Sequence, residues 1–182
     1  MVNSTKKLII LDRDGVINHD SDDYIKSPEE WEPIEGSLEA IAQLNKAGFT
    51  VAVATNQSGI GRGYYSLETL KEMHQKMQDL LANVGGRIDY IAFCPHAPDE
   101  GCTCRKPKPG MLLEIANYFS VKPESVVFVG DTATDRQAAF AAKMKFVLVK
   151  TGKGEQAFAN DLDTNKHYLV YESLQDFVNN TL

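Results

Sequence analysis

The sequence predicts an α/β fold with a doubly wound, mainly parallel, Rossmann-like sheet. Short apolar segments rich in β-branched residues recur along the chain, as in strands that are buried on both faces. Between them, apolar residues return every three or four positions, which is the pattern of amphipathic helices. Strands that alternate with helices form parallel sheets with right-handed crossovers. The chain of 182 residues is long enough for one core, so we expect a single domain over residues 1–182 with no separate second domain.

The first predicted strand is Leu8–Leu11, where four apolar residues run directly into an aspartate. A polar, acidic loop then extends to about Pro33, and loops of this length are often functional. Ser37 is the predicted N-cap of the first helix, and Gly48 fits the position just after its end. The apolar face of this helix is formed by Leu38, Ile41, Ala42 and Leu44.

The later elements alternate in the same way. Ser66 is predicted to cap a long helix that ends at Gly85–Gly86, and Pro109 opens a further helix because proline is favoured in the first turn. The tail contains a glycine-rich loop, a short strand and a closing helix from about Ser173. The later strands are predicted at 49–54, 88–93, 126–129, 146–149 and 168–170, and the later helices at 66–84, from 109, at 134–143 and from 173.

Composition and charge argue against some classes of function. The formal net charge is −6, from 19 basic and 25 acidic side chains, so we expect no nucleic-acid partner and no anionic membrane surface as a partner. The apolar run after Lys7 is too short for the core of a signal peptide, and no segment approaches the roughly 20 apolar residues of a transmembrane helix. We expect a cytoplasmic protein, and a monomer because no heptad pattern is present.

Polar side chains follow several predicted strands, at the positions where ligands bind in open α/β sheets. These are Asp12 and Asp14 after the first strand, Thr55 after the second, the Arg105–Lys106 pair after the third and Asp131 after the fourth. Each has an ordinary structural explanation, such as a turn, an exposed basic run or a helix cap. Because all of them fall at one edge of one sheet, they indicate a catalytic site.

This set of side chains suits phosphoryl transfer. A carboxylate can attack phosphorus and form an aspartyl-phosphate, and cations around the equatorial oxygens stabilise the transition state. Asp12 and Asp14 repel each other unless a cation lies between them, and Mg²⁺ bound by carboxylates and substrate phosphate fits that place. Lys106 would add a fixed positive charge, and Thr55 a hydroxyl donor.

The same segments resemble the four motifs of the haloacid dehalogenase-like phosphatases, in the family's order. They are Asp12-x-Asp14-Gly15, Thr55-Asn56-Gln57-Ser58-Gly59, Lys106, and Gly130-Asp131-x-x-x-Asp135. The resemblance extends from Leu8 to about Val149 and implies a haloacid dehalogenase-like fold without a cap domain.

The resemblance also implies a role for each motif residue. Asp12 would be the nucleophile and Asp14 the general acid and base, while Thr55 and Lys106 would hold the phosphoryl group. The catalytic Mg²⁺ would be bound by Asp12, by Asp131 and by the main-chain carbonyl of Asp14. Asp135 would support these ligands without itself binding the metal.

All three cysteines lie in one loop with the pattern Cys94-x-His96-x5-Cys102-x-Cys104. Three thiolates and one imidazole make a closed, tetrahedral structural zinc site. The alternative is a surface loop with reduced cysteines. We predict a structural Zn²⁺ with these four ligands, and because Arg105 and Lys106 directly follow Cys104, the metal would hold both over the phosphate.

Within the family, this loop is similar to those of two groups without a cap domain, one acting on a heptose bisphosphate and one on histidinol phosphate. The segments 59–63 and 108–111 resemble the heptose group, whereas the five-residue gap between His96 and Cys102 resembles the histidinol group. The expected substrate is a small phosphosugar. Its expected contacts are Asp20, Tyr24, Asn56, Gln57, Ser58, Arg62, Arg105 and Thr132.

A protein of another class remains as an alternative, namely a non-catalytic phosphosugar-binding or zinc-stabilised interaction protein. It is disfavoured because Asp12 and Asp14 are both intact, whereas a protein without catalytic activity could lose either.

Overall fold

The computed structural model describes residues 7–161 and 167–182. Residues 1–6 lie outside the described residues. The described part contains one six-stranded sheet with helices packed on both faces. No helix in that part is both long and apolar enough to cross a membrane.

The strands of this sheet are β1 (Lys7–Leu11), β2 (Phe49–Asn56), β3 (Tyr90–Cys94), β4 (Val127–Gly130), β5 (Lys145–Val149) and β6 (Leu169–Tyr171). Their order is β3-β2-β1-β4-β5-β6, and every neighbouring pair is parallel. The direction of strand progression reverses between β1 and β4, and ligands bind in the crevice at such a switch point. Leu11 at the end of β1 pairs with Val53 and Val129, so the residues that follow β1 and β4 begin at one level.

The helices are α1 (Ser37–Lys46), α2 (Leu67–Asn83), α3 (Gly110–Tyr118), α4 (Ala133–Ala141), α5 (Gly154–Ala159) and α6 (Leu174–Thr181), with a 3₁₀ turn at Pro123–Ser125. They form two buried clusters, one on each face of the sheet. Ile9 and Leu11 of β1 pack with α1, α2 and α6, whereas Leu8 and Ile10 pack with α3 and α4. The predicted two-sided burial of the first strand is therefore confirmed.

Strand β2 ends at Asn56 rather than at residue 54, and β3 begins at Tyr90 rather than at residue 88. Two helices also differ from the prediction. Gly36, with φ 79°, is the N-cap of α1, while Ser37 is the first helical residue and donates its hydroxyl proton to the Ile17 carbonyl oxygen at 2.6 Å. Helix α5 does not emerge from the sequence, because its six residues are too few for an apolar period and it begins at Gly154, inside the glycine-rich loop. The predicted cap at Ser66 is confirmed, since its hydroxyl accepts from the Thr69 N–H at 3.1 Å.

Candidate active site

The turn after β1 places Asp12 beside β4. The Asp12 N–H donates to the Val129 carbonyl oxygen at 2.8 Å, so this residue extends the pairing one position beyond the strand. Farther along the turn, Gly15 has φ 81°, and a Cβ there would lie 2.1 Å from Oδ2 of Asp131. Only glycine permits this approach, and it brings the two metal-binding carboxylates predicted from sequence to the same place.

Three carboxylates and one lysine form the buried centre of the site. One oxygen from each of Asp12, Asp131 and Asp135 lies within 4.8 Å of the others. Lys106 is only 3% exposed, and its Nζ lies 2.8 Å from Oδ1 of Asp12 and 2.6 Å from Oδ1 of Asp135. Nζ also donates to the Ala54 carbonyl oxygen at 2.9 Å. All three ammonium protons thus have an acceptor, which fixes the lysine in position.

The negative charge of this centre exceeds its positive charge. Burial, and then repulsion from Asp135, raise the pKa of Asp12 to about 8. Burial, and then repulsion from Asp135 and Asp12, raise the pKa of Asp131 well above its usual value. Oδ1 of Asp131 is buried and has no hydrogen-bond partner among the described residues. A divalent cation would fit these donors, because it would supply the missing charge and coordinate that oxygen.

Lys106 stays protonated in this surrounding. Burial alone would lower its pKa, but the carboxylates of Asp12 and Asp135 outweigh burial and raise the pKa above its usual value. The lysine is therefore a permanent positive charge in direct contact with Asp12.

Asp14 lies outside the group of three carboxylates and has its own partners. Nη2 of Arg13 lies 2.8 Å from Oδ1 of Asp14, Asn18 donates to the same oxygen at 2.8 Å, and Gln57 donates to Oδ2 at 2.8 Å. Burial alone would raise the pKa of Asp14, but the charge of Arg13 and these hydrogen bonds lower it below its usual value. Because its carboxylate is committed in this way, a contribution to metal binding would have to come from its main-chain carbonyl.

Arg13, Tyr65 and His74 lie behind Asp14 and were not predicted from sequence to belong to the site. Arg13 is 1% exposed, and its guanidinium also donates to Oε1 of Gln57 at 3.2 Å. Tyr65 donates to the same oxygen at 2.6 Å, and Nε2 of His74 lies 3.5 Å from Nη1 of Arg13. An arginine between two aspartates is a sequence signal for a residue that orients both. The burial of its guanidinium could not be predicted from that signal, because it depends on the packing of α2.

The last two residues of β2 have side chains with different roles. Thr55 belongs to the strand, one residue beyond the predicted end, and its Oγ1 accepts from Nε2 of Gln57 at 2.9 Å. Asn56 forms two hydrogen bonds with the main chain of Lys106, accepting its N–H at 3.1 Å and donating to its carbonyl oxygen at 3.1 Å. The side chain of Asn56, predicted to contact substrate, therefore holds the backbone of the active-site lysine.

Asp135 and Thr132 are fixed to each other at the start of α4. The Asp135 N–H donates to Oγ1 of Thr132 at 3.2 Å, and the Thr132 N–H and hydroxyl donate to Oδ2 of Asp135 at 3.1 and 2.6 Å. This capping box leaves Oδ1 of Asp135 for Lys106. Asp135 thus contacts both Thr132 and Lys106, and one of its oxygens also falls within the group that could bind a metal.

A cleft of about 300 Å³ opens above this centre. The structure does not bring Arg62 to it: this residue is exposed, and it lies in a turn closed by a 3.0 Å bond from its N–H to the Ser58 carbonyl oxygen. Lys153 lines the cleft although the sequence analysis did not select it. The other predicted substrate contacts all line the cleft, namely Asp20, Tyr24, Asn56, Gln57, Ser58, Arg105 and Thr132.

The predicted zinc ligands converge in the loop after β3. Sγ of Cys94 lies 3.2 Å from Sγ of Cys104 and 3.6 Å from Sγ of Cys102, and Nδ1 of His96 lies 3.5 and 3.3 Å from the sulfurs of Cys94 and Cys104. All four ligand atoms lie within 4.8 Å of one another. These separations suit a tetrahedral ion with bonds of roughly 2.0–2.3 Å. The donor set of three thiols and one imidazole fits Zn²⁺, with Nδ1 as the histidine ligand.

Comparisons with known proteins agree with this geometry. Residues 103–177 match the HAD-hydrolase-like family model. The chain is 63% identical over 150 residues to D-glycero-beta-D-manno-heptose-1,7-bisphosphate 7-phosphatase of Pseudomonas putida, which covers 82% of this chain and 86% of that protein. It is 56% identical over 170 residues to the Pseudomonas aeruginosa protein of the same name, covering 93% and 94% of the two chains.

A solved structure gives the same result. It is the crystal structure of D,D-heptose 1,7-bisphosphate phosphatase from B. bronchiseptica complexed with magnesium and phosphate. Its TM-score against this chain is 0.93 at 48% identity, with 96% of this chain and 97% of that chain covered.

The fold is therefore that of the haloacid dehalogenase-like phosphatases, which hydrolyse phosphate monoesters. The predicted fold class and the predicted resemblance are confirmed. At the identities given above, the chain belongs to the family of D-glycero-beta-D-manno-heptose-1,7-bisphosphate 7-phosphatases.

Proposed function

We propose that the protein is a Mg²⁺-dependent phosphatase that removes the 7-phosphate of D-glycero-D-manno-heptose 1,7-bisphosphate through an aspartyl-phosphate on Asp12. The relatives named above act, by name, on the beta form of this sugar, so we propose the β anomer as the preferred substrate. The reaction belongs to bacterial synthesis of heptose precursors of the lipopolysaccharide core. The observation that carries the proposal is the contact of Asp12 with Lys106 beside the unpartnered oxygen of Asp131.

In the first step, Asp12 attacks phosphorus. The Arg13 N–H and Nζ of Lys106 hold Oδ1 of Asp12 at 2.7 and 2.8 Å, which leaves the second carboxylate oxygen for the attack. A bond forms between that oxygen and phosphorus while the bond from phosphorus to O7 of the sugar breaks. Asp14 donates a proton to the departing oxygen, because an alkoxide is a poor leaving group. The pKa of Asp14 is lowered in the free protein, so this step requires that the negative charge of the bound phosphate raise that pKa and protonate Asp14.

In the second step, Asp14 takes a proton from water, and the resulting hydroxide attacks the phosphorus of the aspartyl-phosphate. The bond between Asp12 and phosphorus breaks, so inorganic phosphate leaves and both aspartates return to their initial state. Lys106 and the Thr55 hydroxyl stabilise the equatorial oxygens in both steps. Bound to Asp12, Asp131 and the Asp14 carbonyl, Mg²⁺ supplies charge that offsets the repulsion between carboxylate and phosphate.

The proposed zinc ion has a structural role. A shell of Cys94, His96, Cys102 and Cys104 is full and leaves no open coordination position for catalysis. The loop continues directly into Arg105, whose guanidinium donates to the His96 carbonyl oxygen at 3.4 Å. The metal site would thus fix the position of the segment that carries Arg105 and Lys106.

The remaining expectations are part of the same proposal. We propose that residues 1–182 act as one phosphatase domain, as a monomer in the cytoplasm, on a small phosphosugar and without nucleic acid or membrane as a partner. An acidic net charge of −6 supports the exclusion of nucleic acid.

Histidinol phosphate is the second candidate substrate. Two observations favour it: the short gap between His96 and Cys102 and the acidic residues of the loop at one side of the cleft, where Asp20 and Asp22 could bind a cationic amine. Lys153 pairs with both of these carboxylates, which reduces their negative charge and weakens this alternative.

The test is phosphate release by the purified protein with Mg²⁺ from both anomers of the heptose bisphosphate, histidinol phosphate and an aryl phosphate. We expect the highest kcat/KM for the β bisphosphate. A higher value for histidinol phosphate would reject the heptose assignment but not the phosphatase mechanism. Asp12→Asn should abolish release from every substrate, while Asp23→Asn, an exposed aspartate of the same loop that does not line the cleft, should leave it unchanged.

A further inference from the structure

Lys153 occupies a fixed position beside the metal-binding carboxylates. Its main-chain N–H donates to Oδ2 of Asp131 at 2.8 Å. The preceding Gly152 has φ 58°, and a Cβ there would lie 2.3 Å from Oδ2 of Asp131 and 2.5 Å from Cα of Gly15. Thr151 donates its hydroxyl proton to the Gly15 carbonyl oxygen at 2.6 Å. The backbone of this segment is therefore pressed against the site and has little freedom to shift.

From this fixed backbone the side chain of Lys153 extends to the loop after β1. Its Nζ lies 3.1 Å from Oδ2 of Asp20 and 3.1 Å from Oδ1 of Asp22. The lysine side chain is 50% exposed, that of Asp20 is 23% exposed and that of Asp22 is 92% exposed. Ion pairs with this much solvent contribute little to stability. We therefore expect the contact to affect the placement of the two carboxylates at the cleft rather than the stability of the fold.

Asp20 and Asp22 both line the cleft, together with Lys153 itself. Carboxylate oxygens accept hydrogen bonds from sugar hydroxyls, but two carboxylates near a phosphorylated substrate would also repel it. A lysine shared between them reduces that repulsion and holds their remaining lone pairs in one arrangement.

We propose that Lys153 is a positioning residue for substrate specificity: it holds Asp20 and Asp22 at the cleft so that they bind hydroxyl groups of the sugar. The inference rests on the proposed function, because it needs a polyhydroxylated phosphate ester as substrate. A direct contact of Lys153 with the second phosphate of the substrate is the competing role. It is disfavoured because two carboxylates already surround Nζ and would repel that phosphate.

The experiment compares Lys153→Met with wild type on heptose bisphosphate and on p-nitrophenyl phosphate, which has no sugar hydroxyl. The main-chain N–H to Asp131 is retained in this variant. We expect KM for the sugar substrate to rise about tenfold more than KM for the aryl phosphate, which corresponds to about 1.4 kcal/mol, with kcat little altered. Lys153→Arg should restore most of the difference, since it keeps the charge.

Two further measurements separate the possible causes. Lys150→Met removes a lysine three positions earlier that pairs with Glu172 and Glu155, and it should leave both substrates unaffected. In a variant with Asp20→Asn and Asp22→Asn, adding Lys153→Met should cause no further selective loss, because the lysine acts through the two carboxylates.

The other outcomes count against the inference. Equal losses on the two substrates, or no loss, would reject a role in specificity. If Lys153→Met still raises KM for the sugar substrate to the same extent in the variant that lacks both carboxylates, the result would instead support direct phosphate binding by Lys153. If the wild-type protein hydrolyses the aryl phosphate but no member of a panel of sugar phosphates, both the proposed function and this inference are rejected.

Discussion

Two aspartates that stand two positions apart have opposite electrostatic surroundings. Asp12 is buried next to Asp135 and has a raised pKa, whereas Arg13, Asn18 and Gln57 bring the pKa of Asp14 below its usual value despite burial. The residue between them contacts both carboxylates. The guanidinium of Arg13 binds Asp14 and helps to lower its pKa, and its main-chain N–H binds Asp12, whose pKa is raised by burial and by Asp135. A single residue thus orients both carboxylates.

Asp14→Asn should slow hydrolysis in proportion to the need for a proton on the leaving group. For the sugar phosphate we expect kcat to fall on the order of 10²–10⁴-fold, and much less for p-nitrophenyl phosphate, whose leaving group is stable as an anion. Steady-state rates on the two substrates provide the measurement, with Asp23→Asn as the control. Equal losses on both substrates would remove Asp14 from the role of acid.

Asn56→Ala should impair catalysis through Lys106. The variant loses both hydrogen bonds to the Lys106 main chain, and we expect kcat to fall about tenfold and stability by about 1–3 kcal/mol. The matched control is Asn45→Ala, because Asn45 accepts from the Arg87 N–H at 2.8 Å and donates to the Phe49 carbonyl oxygen at 3.4 Å, away from the cleft. The control should lose stability but keep kcat, and a similar fall in kcat in both variants would contradict the prediction.

Sequence reasoning at this scale identified residues whose chemistry is evident from their type and position. Asp12, Lys106 and Asp131 follow strands, and their placement in one centre is what the parallel sheet predicts. The roles of Asn56 and Lys153 could not be predicted, because their partners lie 50 or more residues away in the chain and are specified only by tertiary contacts.

At the scale of elements, the loop between β3 and α3 does more than connect them. It carries the four proposed zinc ligands, then the two cations Arg105 and Lys106, and then the start of α3 at Gly110. A Cβ on Gly110 would lie 2.5 Å from the Thr103 carbonyl oxygen, so α3 begins in direct contact with the loop. The cluster and the helix together fix the segment that presents the lysine.

The zinc proposal predicts one tightly bound zinc per chain, measurable by elemental analysis of protein purified without added zinc. Cys102→Ser should lower the zinc content, reduce Tm by about 5–10 °C and weaken phosphate release, because the loop loses an anchor. Thr103→Ser, at the adjacent position, should change none of these. Absence of zinc, or a disulfide in its place, would refute the assignment.

The elements themselves were largely predictable. Strands β1 and β4 and helix α2 have strong apolar patterns, and α2 also has a clear N-cap at Ser66. Their positions therefore agree with the prediction to within a residue or two. The end of β2 was placed too early, because Thr55 and Asn56 are polar residues that β3 pairs as strand. Helix α5 is stabilised by its place beside β5, which no local pattern reveals.

At the scale of the whole molecule, the order of strands places β1 and β4 side by side and gives the site its location. A partly buried histidine also links the site to the stability of the fold. Burial, and then the charge of Arg13, lower the pKa of His74 on α2 to about 3. The folded protein therefore keeps this imidazole neutral over a range in which the unfolded chain binds a proton.

This difference predicts a loss of stability in acid. Between about pH 6.5, the usual histidine pKa, and pH 3 the unfolded state binds more protons, so the free energy of unfolding falls as the pH falls. Chemical denaturation at several pH values should show a shallower decline for His74→Gln, by on the order of 3 kcal/mol between pH 6.5 and 4. The exposed His167 provides the control, His167→Gln. Equal slopes for wild type and His74→Gln would contradict the prediction.

The contact of the Lys153 main chain with Asp131 bears on how the enzyme appears during synthesis. The proposed nucleophile Asp12, Lys106, Asp131 and the capping box of Thr132 and Asp135 are all synthesised by the time the ribosome reaches Ala142. The Lys153 N–H, which donates to Asp131, and Gly152, which packs against Gly15, are synthesised only afterwards, following β5. A nascent chain that has reached only Ala142 therefore carries the reactive groups without the contacts that order Asp131, and we expect hydrolytic activity only after residues 143–153 have been added and folded.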